Sequence, residues 1–455
     1  MSVMIETDQV LRLNHTLKAV QKIKPITLVP MQDQDVQPKK PELISVEPAD
    51  LKRKARTPRI LYVSQHWPHK ARGASELRSF HVRRALQQIG KVDVVVLDVY
   101  GGGEDWVKSP DDEFELVEVA KVKPHCNRGL GQKLIWALSP YAHHTLGHAV
   151  GSDATRRVLR LIEDYDLVWF SKMRSASMFA QWAWPRSVLD IDDVPSTFET
   201  AVLQTSRGIR QRILTSIRHW TWQRREKLLG ERFKTLVVCS EKDRRYLLNM
   251  GIKAPVHVAP NGFERPSREP VRTRISPPRI GFVAVFDYPP NLEGIQWFAN
   301  QCWPLIKREV PDARLRLAGQ LSNGPLKVSG PDVDWLGWVE DLGTEIDTWS
   351  AMAVPILTGA GTRVKIAQGF SRKCPIVSTS IGAYGYEAVN GREMYLADSA
   401  EAFAKGCVNA IRQPEQAAQM ADRAWRQFLE KWTWEANRPR IWAAAEECLR
   451  LGAMT

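Results

Sequence analysis

At 455 residues the chain is too long for one ordinary core, so two domains are expected. Apolar residues make up 44% and charged residues 25%, the balance of a folded globular protein rather than a disordered or fibrous one. The excess of 64 Lys and Arg over 51 Asp and Glu gives +13, which points to an anionic partner such as nucleotide phosphates, an acidic membrane surface or nucleic acid.

The six cysteines, Cys126, Cys239, Cys302, Cys374, Cys407 and Cys448, are scattered without a CxxC pair. That spacing indicates neither a zinc site nor a disulfide framework and fits a reducing cytosol. No run of about 18 apolar residues is present, so no transmembrane span is expected. The first residues lack the apolar core of a signal peptide. The expectation is a cytoplasmic protein that meets a membrane only peripherally, at its inner face.

Residues 1–57 are polar, carry five prolines between Pro25 and Pro48, and end in Lys52-Arg53-Lys54. They read as a flexible tail with one short helix near 8–21. From Arg59 the run RILYVSQ is a buried strand. The loop HWPHKARGASELRS leads into a helix to about Ile89, and the strand KVDVVVLD follows. This βαβ rhythm predicts a parallel sheet. Further strands are expected at 114–119, 167–171, 188–191, 236–239 and 256–258, with helices between.

Three stretches of this half stand out. Residues 130–141, LGQKLIWALSPY, read as an exposed apolar candidate. Asp190-Ile191-Asp192-Asp193 ends a strand; adjacent carboxylates raise one another's pKa and can hold or share a proton. A helix-capping aspartate and a DxD manganese site are the alternatives. Residues 207–234 hold nine basic and two acidic residues interleaved with Ile209, Ile213, Leu214, Ile217, Trp220 and Leu228. That composition suits a basic amphipathic helix on an anionic membrane, with Trp220 or Trp222 at headgroup level, or else a solvated helix face. Ser240 with Asp243 has N-cap spacing. Pro260-Asn261-Gly262 reads as a turn in which Gly262 takes positive φ.

Residues 264–278, with four prolines and little apolar content, are the expected interdomain linker. Domain boundaries are therefore set at 58–263 and 279–455. The second series opens with RIGFVAVF and a helix over 291–309, capped by Asn291. Strands are expected at 315–318, 335–336 and 352–357. Trp338 follows the second of these and either stacks on a base or packs in the core. The chain ends in helices from Ala400 that carry Trp425, Trp432 and Trp434.

The most informative stretch is 359–391, GAGTRVKIAQGFSRKCPIVSTSIGAYGYEAVNG. Gly359 and Gly361 let backbone approach a ligand closely. Arg363 and Lys365 stand where a helix begins, and a helix start with two cations suits a diphosphate. Pro375 opens a buried strand, and Gly382 and Gly385 build a second loop at its end, where open α/β sheets bind ligands.

This segment resembles the nucleotide-sugar site of group 1 (family 4-like) glycosyltransferases, retaining enzymes of the GT-B fold, in the branch that reads GAGTR-x-K, then P-(I/V)-V-S-T and IGAxG. The resemblance spans about residues 58–450. It implies an α/β fold of two Rossmann-like domains facing each other across a cleft. It also implies a hexosyltransferase-type enzyme that moves a sugar, with retention, from a nucleotide-diphosphate sugar to a polysaccharide, glycolipid or lipid-linked acceptor. Such enzymes work without a metal or other cofactor. Carried over residue by residue, the catalytic candidates are Arg363 and Lys365 with Asp192 and Asp193, which stand where many members have a histidine-aspartate pair. The donor-binding candidates are Gly73, Ala74, Ala284, Trp338, Gly359, Gly361, Thr362 and Gln368. Three positions depart from the pattern. Gln368 replaces a glutamate that accepts both ribose hydroxyls, Ala360 stands at its acidic partner, and Ala284 replaces a glycine near the phosphates.

Epimerases and phosphorylases of this fold lack the GAGTR pattern. The neutral Gln368 favours the alternative of a non-catalytic sugar-nucleotide binder or scaffold. No nucleic-acid module is recognisable, so nucleic acid is not an expected partner.

Overall fold

A computed structural model describes residues 56–67, 74–99, 114–124, 138–139, 148–206, 208–321, 328–359 and 361–453. Except for 56–57 and 138–139, the expected tail and the apolar stretch at 130–141 lie outside these residues, as do Gly73 and Ala360.

The first sheet has eight strands: β1 Arg59–Ser64, β2 Lys91–Asp98, β3 Glu115–Pro124, β4 His148–Val150, β5 Leu167–Ser171, β6 Ser187–Asp192, β7 Thr235–Val238 and β8 Val256–Val258. Their order is β4-β3-β2-β1-β5-β6-β7-β8, parallel except for the β3–β4 edge. β1 shows why a continuous apolar run becomes a central strand. Ile60 and Tyr62 enter one core with Val82 and Leu86 of the helix Ala74–Leu86, while Leu61 and Val63 enter another with Val168 and Phe170. Both faces are covered, so alternation is unnecessary.

The second sheet has six strands: β9 Arg279–Val283, β10 Arg314–Ala318, β11 Val333–Gly337, β12 Ala351–Val354, β13 Ile376–Ser378 and β14 Tyr395–Leu396. They are parallel in the order β11-β10-β9-β12-β13-β14. Strand order reverses between β9 and β12, so the loops beyond these two strands part and leave a crevice at the sheet's carboxyl edge. Both sheets belong to one unit, residues 56–455.

Several expected elements change on folding. The helix over 291–309 is three segments: Pro289–Trp297, a π-helical turn Phe298–Cys302, and Trp303–Glu309 with a proline in its first turn. Pro304 has no N–H to continue the ladder, and the wider turn absorbs the break. Asn291 does not cap this helix; Tyr288 occupies the N-cap and prolines fill N1 and N2. Gly262 does not take positive φ. It is glycine because a Cβ there would meet Trp434 at 2.9 Å. The last helix, Trp434–Gly452, leaves the range assigned to the second domain. It buries Ile441, Ala444, Ala445 and Cys448 in the first sheet's core, beside the helix Ala74–Leu86. The short strands β4 and β14 were not expected from sequence.

Candidate active site at the domain cleft

Gly359 and residues 361–363 lie between β12 and the helix Val364–Ser371, on one wall of the crevice of the second sheet. Gly361 has φ +74°, and a Cβ on it would collide with the Asp193 carboxylate of the first domain. Gly359, at φ +126°, makes the same allowance for the Arg363 guanidinium. The loop therefore presses Arg363 and Asp193 together across the cleft. Arg363 is the N-cap residue, and its own side chain makes no capping bond to the helix start. Tyr386 fixes the turn, its hydroxyl donating to Arg363 O (2.8 Å) and accepting from Ala367 N (3.2 Å).

Lys365 points into the crevice. Its Nζ donates to Asn291 Oδ1 (2.8 Å) and lies 4.3 Å from the Phe282 ring centroid. Burial, with Arg363 adding repulsion, lowers its pKa to about 7. Gln368 is half-buried one turn further on, and its main-chain carbonyl accepts from Ser371 Oγ. Ala284 departs from its expected role. Its N–H donates to Ala318 O (3.0 Å) and its methyl lies in the second core, so it extends the sheet ladder instead of offering an N–H to a phosphate. Trp338 is 62% exposed beyond the edge strand β11, so the core alternative does not hold.

The first domain supplies the facing wall. The acidic run at the end of β6 divides its labour. Asp190 is fully buried against Arg78, whose Nη2 lies 2.7 Å from Oδ1 and whose Nε also donates to both carboxylate oxygens. Asp192, at φ +62°, pairs with Lys172 Nζ (3.1 Å) and accepts from Cys239 Sγ and Asn261 Nδ2, both at 3.1 Å. Burial opposes its charge, but Lys172, Arg78 and these donors hold its pKa well below the usual carboxylate range. Asp193 behaves oppositely. Its side chain reaches solvent at the cleft mouth, yet both domains crowd it. Burial and the adjacent Asp192 charge raise it to about 7 against the pull of Arg363 and Lys172. Of the neighbouring pair Asp192 and Asp193, Asp193 is the one shifted toward the protonated form. A helix cap is not its role, because the following helix Pro195–Thr205 is capped at Val194. Among the described residues no group of three or more His, Cys, Asp or Glu could hold a metal ion. Ala74 opens the helix Ala74–Leu86.

Two contacts tie the walls together. Asn261 accepts from Arg78 Nη1 (3.2 Å) and donates to Asp192 Oδ1 and to Thr362 Oγ1 (both 3.1 Å). Tyr384 Oη donates to Asp243 Oδ1 (2.7 Å), while Ser240 Oγ accepts from Asp243 N as the N-cap spacing predicted. Sequence reading took Asn261 and Asp243 as local turn and cap residues, and it missed Lys172 and Arg78. The one local oddity at Lys172 is its φ of +71°, which no sequence pattern announces.

Away from the cleft, the basic stretch 207–234 forms the helices Ile209–Glu226 and Leu229–Arg232. The longer one is inverted relative to an ordinary surface helix. Thr215, Thr221, Arg225 and Glu226 are buried, while Ile209, Ile213, Leu214, Ile217 and Trp220 are exposed by 44–79%. The cause is its partner, the helix Pro195–Thr205, which offers polar groups. Glu226 accepts from Ser196 N (2.8 Å), and Arg218 pairs with Glu199 (3.0 Å). Arg224 donates to Leu138 O (2.8 Å) and covers the Trp220 ring, which brings exposed Leu138 beside this ridge. Trp222 instead packs on the first core.

Residues 277–413 match the family of group 1 glycosyl transferases. A 138-residue stretch is 31% identical to an uncharacterised 44.6 kDa protein in the cps region of Klebsiella pneumoniae; it covers 28% of this chain and 36% of that relative's length. Sucrose-phosphate synthase from Thermosynechococcus elongatus superimposes with TM-score 0.63 at 14% identity, over 88% of this chain and all of the other. HepE from Anabaena, in complex with UDP-glucose, gives 0.55 at 14% identity over 86% and 99%. WaaG, a glycosyltransferase involved in lipopolysaccharide biosynthesis, gives 0.54 at 13% identity over the same shares. These likenesses extend the expected two-domain architecture to both halves of the chain.

Proposed function

We propose that this chain, a group 1 glycosyltransferase of the GT-B fold, moves a hexose from a nucleotide-diphosphate sugar to a polysaccharide, glycolipid or lipid-linked acceptor with retention. The observation that carries the reading is the meeting of Arg363, Lys365 and a helix start beside the crevice of the second sheet, with Asp193 facing them. As the bond to the sugar breaks, charge grows on the leaving diphosphate. Cations and N–H groups already aimed there, in a cleft of low polarisability, stabilise it more than they stabilise the bound donor. Asp193, which can hold a proton near neutrality, is placed to contact an incoming or departing hydroxyl. The Klebsiella pneumoniae relative's location in a cps region and the UDP-glucose in HepE support a nucleotide-sugar donor and a polysaccharide product. The experiment is a panel of UDP-, GDP- and dTDP-hexoses, run in excess chelator with and without lipid-linked acceptors. Release of a nucleoside diphosphate that depends on acceptor is expected. No release with any donor, or release only when manganese is restored, would overturn the reading.

A second reading, a sugar-nucleotide binder without turnover, is favoured by Gln368. Its amide can accept one ribose hydroxyl and donate to another but lacks charge assistance. Binding without acceptor-dependent release would select it. Under the catalytic reading, Gln368→Glu should keep or tighten donor binding in calorimetry, because a carboxylate accepts from both hydroxyls. Marked weakening would remove Gln368 from the ribose site.

The outward ridge of Ile209–Glu226 gives this enzyme a membrane-facing surface for a lipid-linked acceptor. Among the described residues no helix is long and apolar enough to cross a bilayer. The ridge joins apolar side chains to exposed Arg210 and Arg212, and each cation near an anionic surface is worth about 1 kcal/mol. Sedimentation with phosphatidylserine liposomes should weaken several-fold when Arg210 and Arg212 become glutamine and Trp220 becomes alanine. Arg218 is a poor choice for substitution because Glu199 already holds it. Unchanged sedimentation of the triple variant would leave the ridge without this role.

A further inference from the structure

We infer that Asn291 is a positioning residue for the donor: its side-chain amide spans the crevice between the loop after β9 and the helix after β12, and it holds the Lys365 ammonium toward the diphosphate. The inference rests on the diphosphate reading above. Asn291 is nine-tenths buried, and both ends of its amide are engaged. Nδ2 donates to Val285 O at 2.8 Å, and a carbonyl can only accept, so the orientation of the amide is fixed. Oδ1 must therefore face Lys365 Nζ, 2.8 Å away. One side chain thus sets both the β9 loop and the cation, on opposite walls of the gap where strand order reverses.

The chemistry of this partner matters. Among the described residues, the contacts of Lys365 Nζ are with uncharged groups: the Phe282 ring from β9 and the Asn291 amide from the helix Pro289–Trp297. Glu293, the one carboxylate on that helix, is bound to Thr358 (3.0 Å) and belongs to the loop before Gly359. Burial, with a neutral acceptor and the repulsion of Arg363, puts Lys365 near pKa 7 in the free protein. A bound diphosphate stabilises the charged form, so binding takes up a proton. Affinity then falls as pH rises above about 7, up to tenfold per pH unit, until the pKa of the bound state is reached. A carboxylate at position 291 would stabilise the ammonium in the free protein too, and would move the onset of that fall upward by a pH unit or more.

The test is calorimetric binding between pH 6 and 9 of whichever of UDP-glucose, GDP-mannose or dTDP-glucose the wild type takes. The sugar-linked diphosphate does not itself titrate in this range. Wild-type affinity should fall above about pH 7. The near-isosteric Asn291→Asp should show the fall displaced upward by at least one pH unit, whatever its absolute affinity. Asn291→Ala should bind about tenfold more weakly at pH 6.5, with the fall displaced downward. Thermal midpoints of both variants report folding separately. A pH profile that Asn291→Asp leaves in place, with the variant folded, would overturn the positioning role and spare the donor reading. A wild type that binds none of the three would overturn the donor reading and this inference with it.

Discussion

Arg363→Ala and Lys365→Ala should each lower acceptor-dependent turnover by about two to three orders of magnitude while the protein stays folded. Removing one preorganised donor to a developing oxyanion typically costs about 2.7–4 kcal/mol of transition-state stabilisation. Both residues meet the conditions for that cost. Tyr386 holds the main chain of Arg363 and its guanidinium lies against Gly359, so little reorganisation is expected at the moment of reaction. Lys365 sits in a buried setting where charges are weakly screened. The loss should fall mainly on kcat, since the charge they meet is larger in the transition state than in the bound donor. Arg363→Lys should recover only part of it, because a point charge does not replace a planar fork. The check is the rate of nucleoside diphosphate release at saturating donor. Near-normal rates in both alanine variants would remove this crevice from the catalytic account.

The strands and the loop-to-helix turn before Val364 were legible because their signals are local. Buried parallel strands are short apolar runs, and β5 and β8 fall on their expected residues. The glycine-cation-helix pattern of 359–371 likewise carries its own geometry. What could not be read is whatever depends on two distant segments. The run 190–193 offered adjacent carboxylates but not their separate partners, Arg78 from the helix after β1 and Lys172 from the end of β5. Asn261 looked like a turn residue because Pro-Asn-Gly is a turn, yet its amide faces Thr362, 101 residues away. The apolar residues of 207–234 were visible, but their outward direction follows from the polar helix they pack beside. The helix Trp434–Gly452 gave no hint that its apolar side serves the first sheet rather than the second, since a stripe of alanines and an isoleucine fits either.

The largest stability effect should come from Arg78→Ala. Arg78 and Asp190 are each 2% exposed, and three bonds to the carboxylate plus those to Ala259 O and Asn261 Oδ1 engage all three nitrogens of the guanidinium. Truncating the arginine leaves an uncompensated carboxylate in the first core, a change that typically destabilises by about 3–5 kcal/mol. Asp190→Asn should cost less, because the amide oxygen still accepts one bond, though Arg78 keeps a buried charge without its counterion. Replacing both together, Arg78→Met with Asp190→Leu, should recover much of the loss, since well-packed apolar residues avoid desolvating two ions. The consequences reach the cleft. Without Arg78, the Asn261 oxygen loses a donor, and the amide that joins Asp192 to Thr362 is free to turn over. Residual activity of folded Arg78→Ala should therefore fall alongside stability, while the apolar pair restores stability more fully than activity. Urea unfolding followed by circular dichroism, with hydrogen exchange of the β6 amides, measures the first quantity, and nucleoside diphosphate release the second. A stability loss below about 1 kcal/mol would mean that water reaches Asp190 and that the pair is not the buried anchor of this wall.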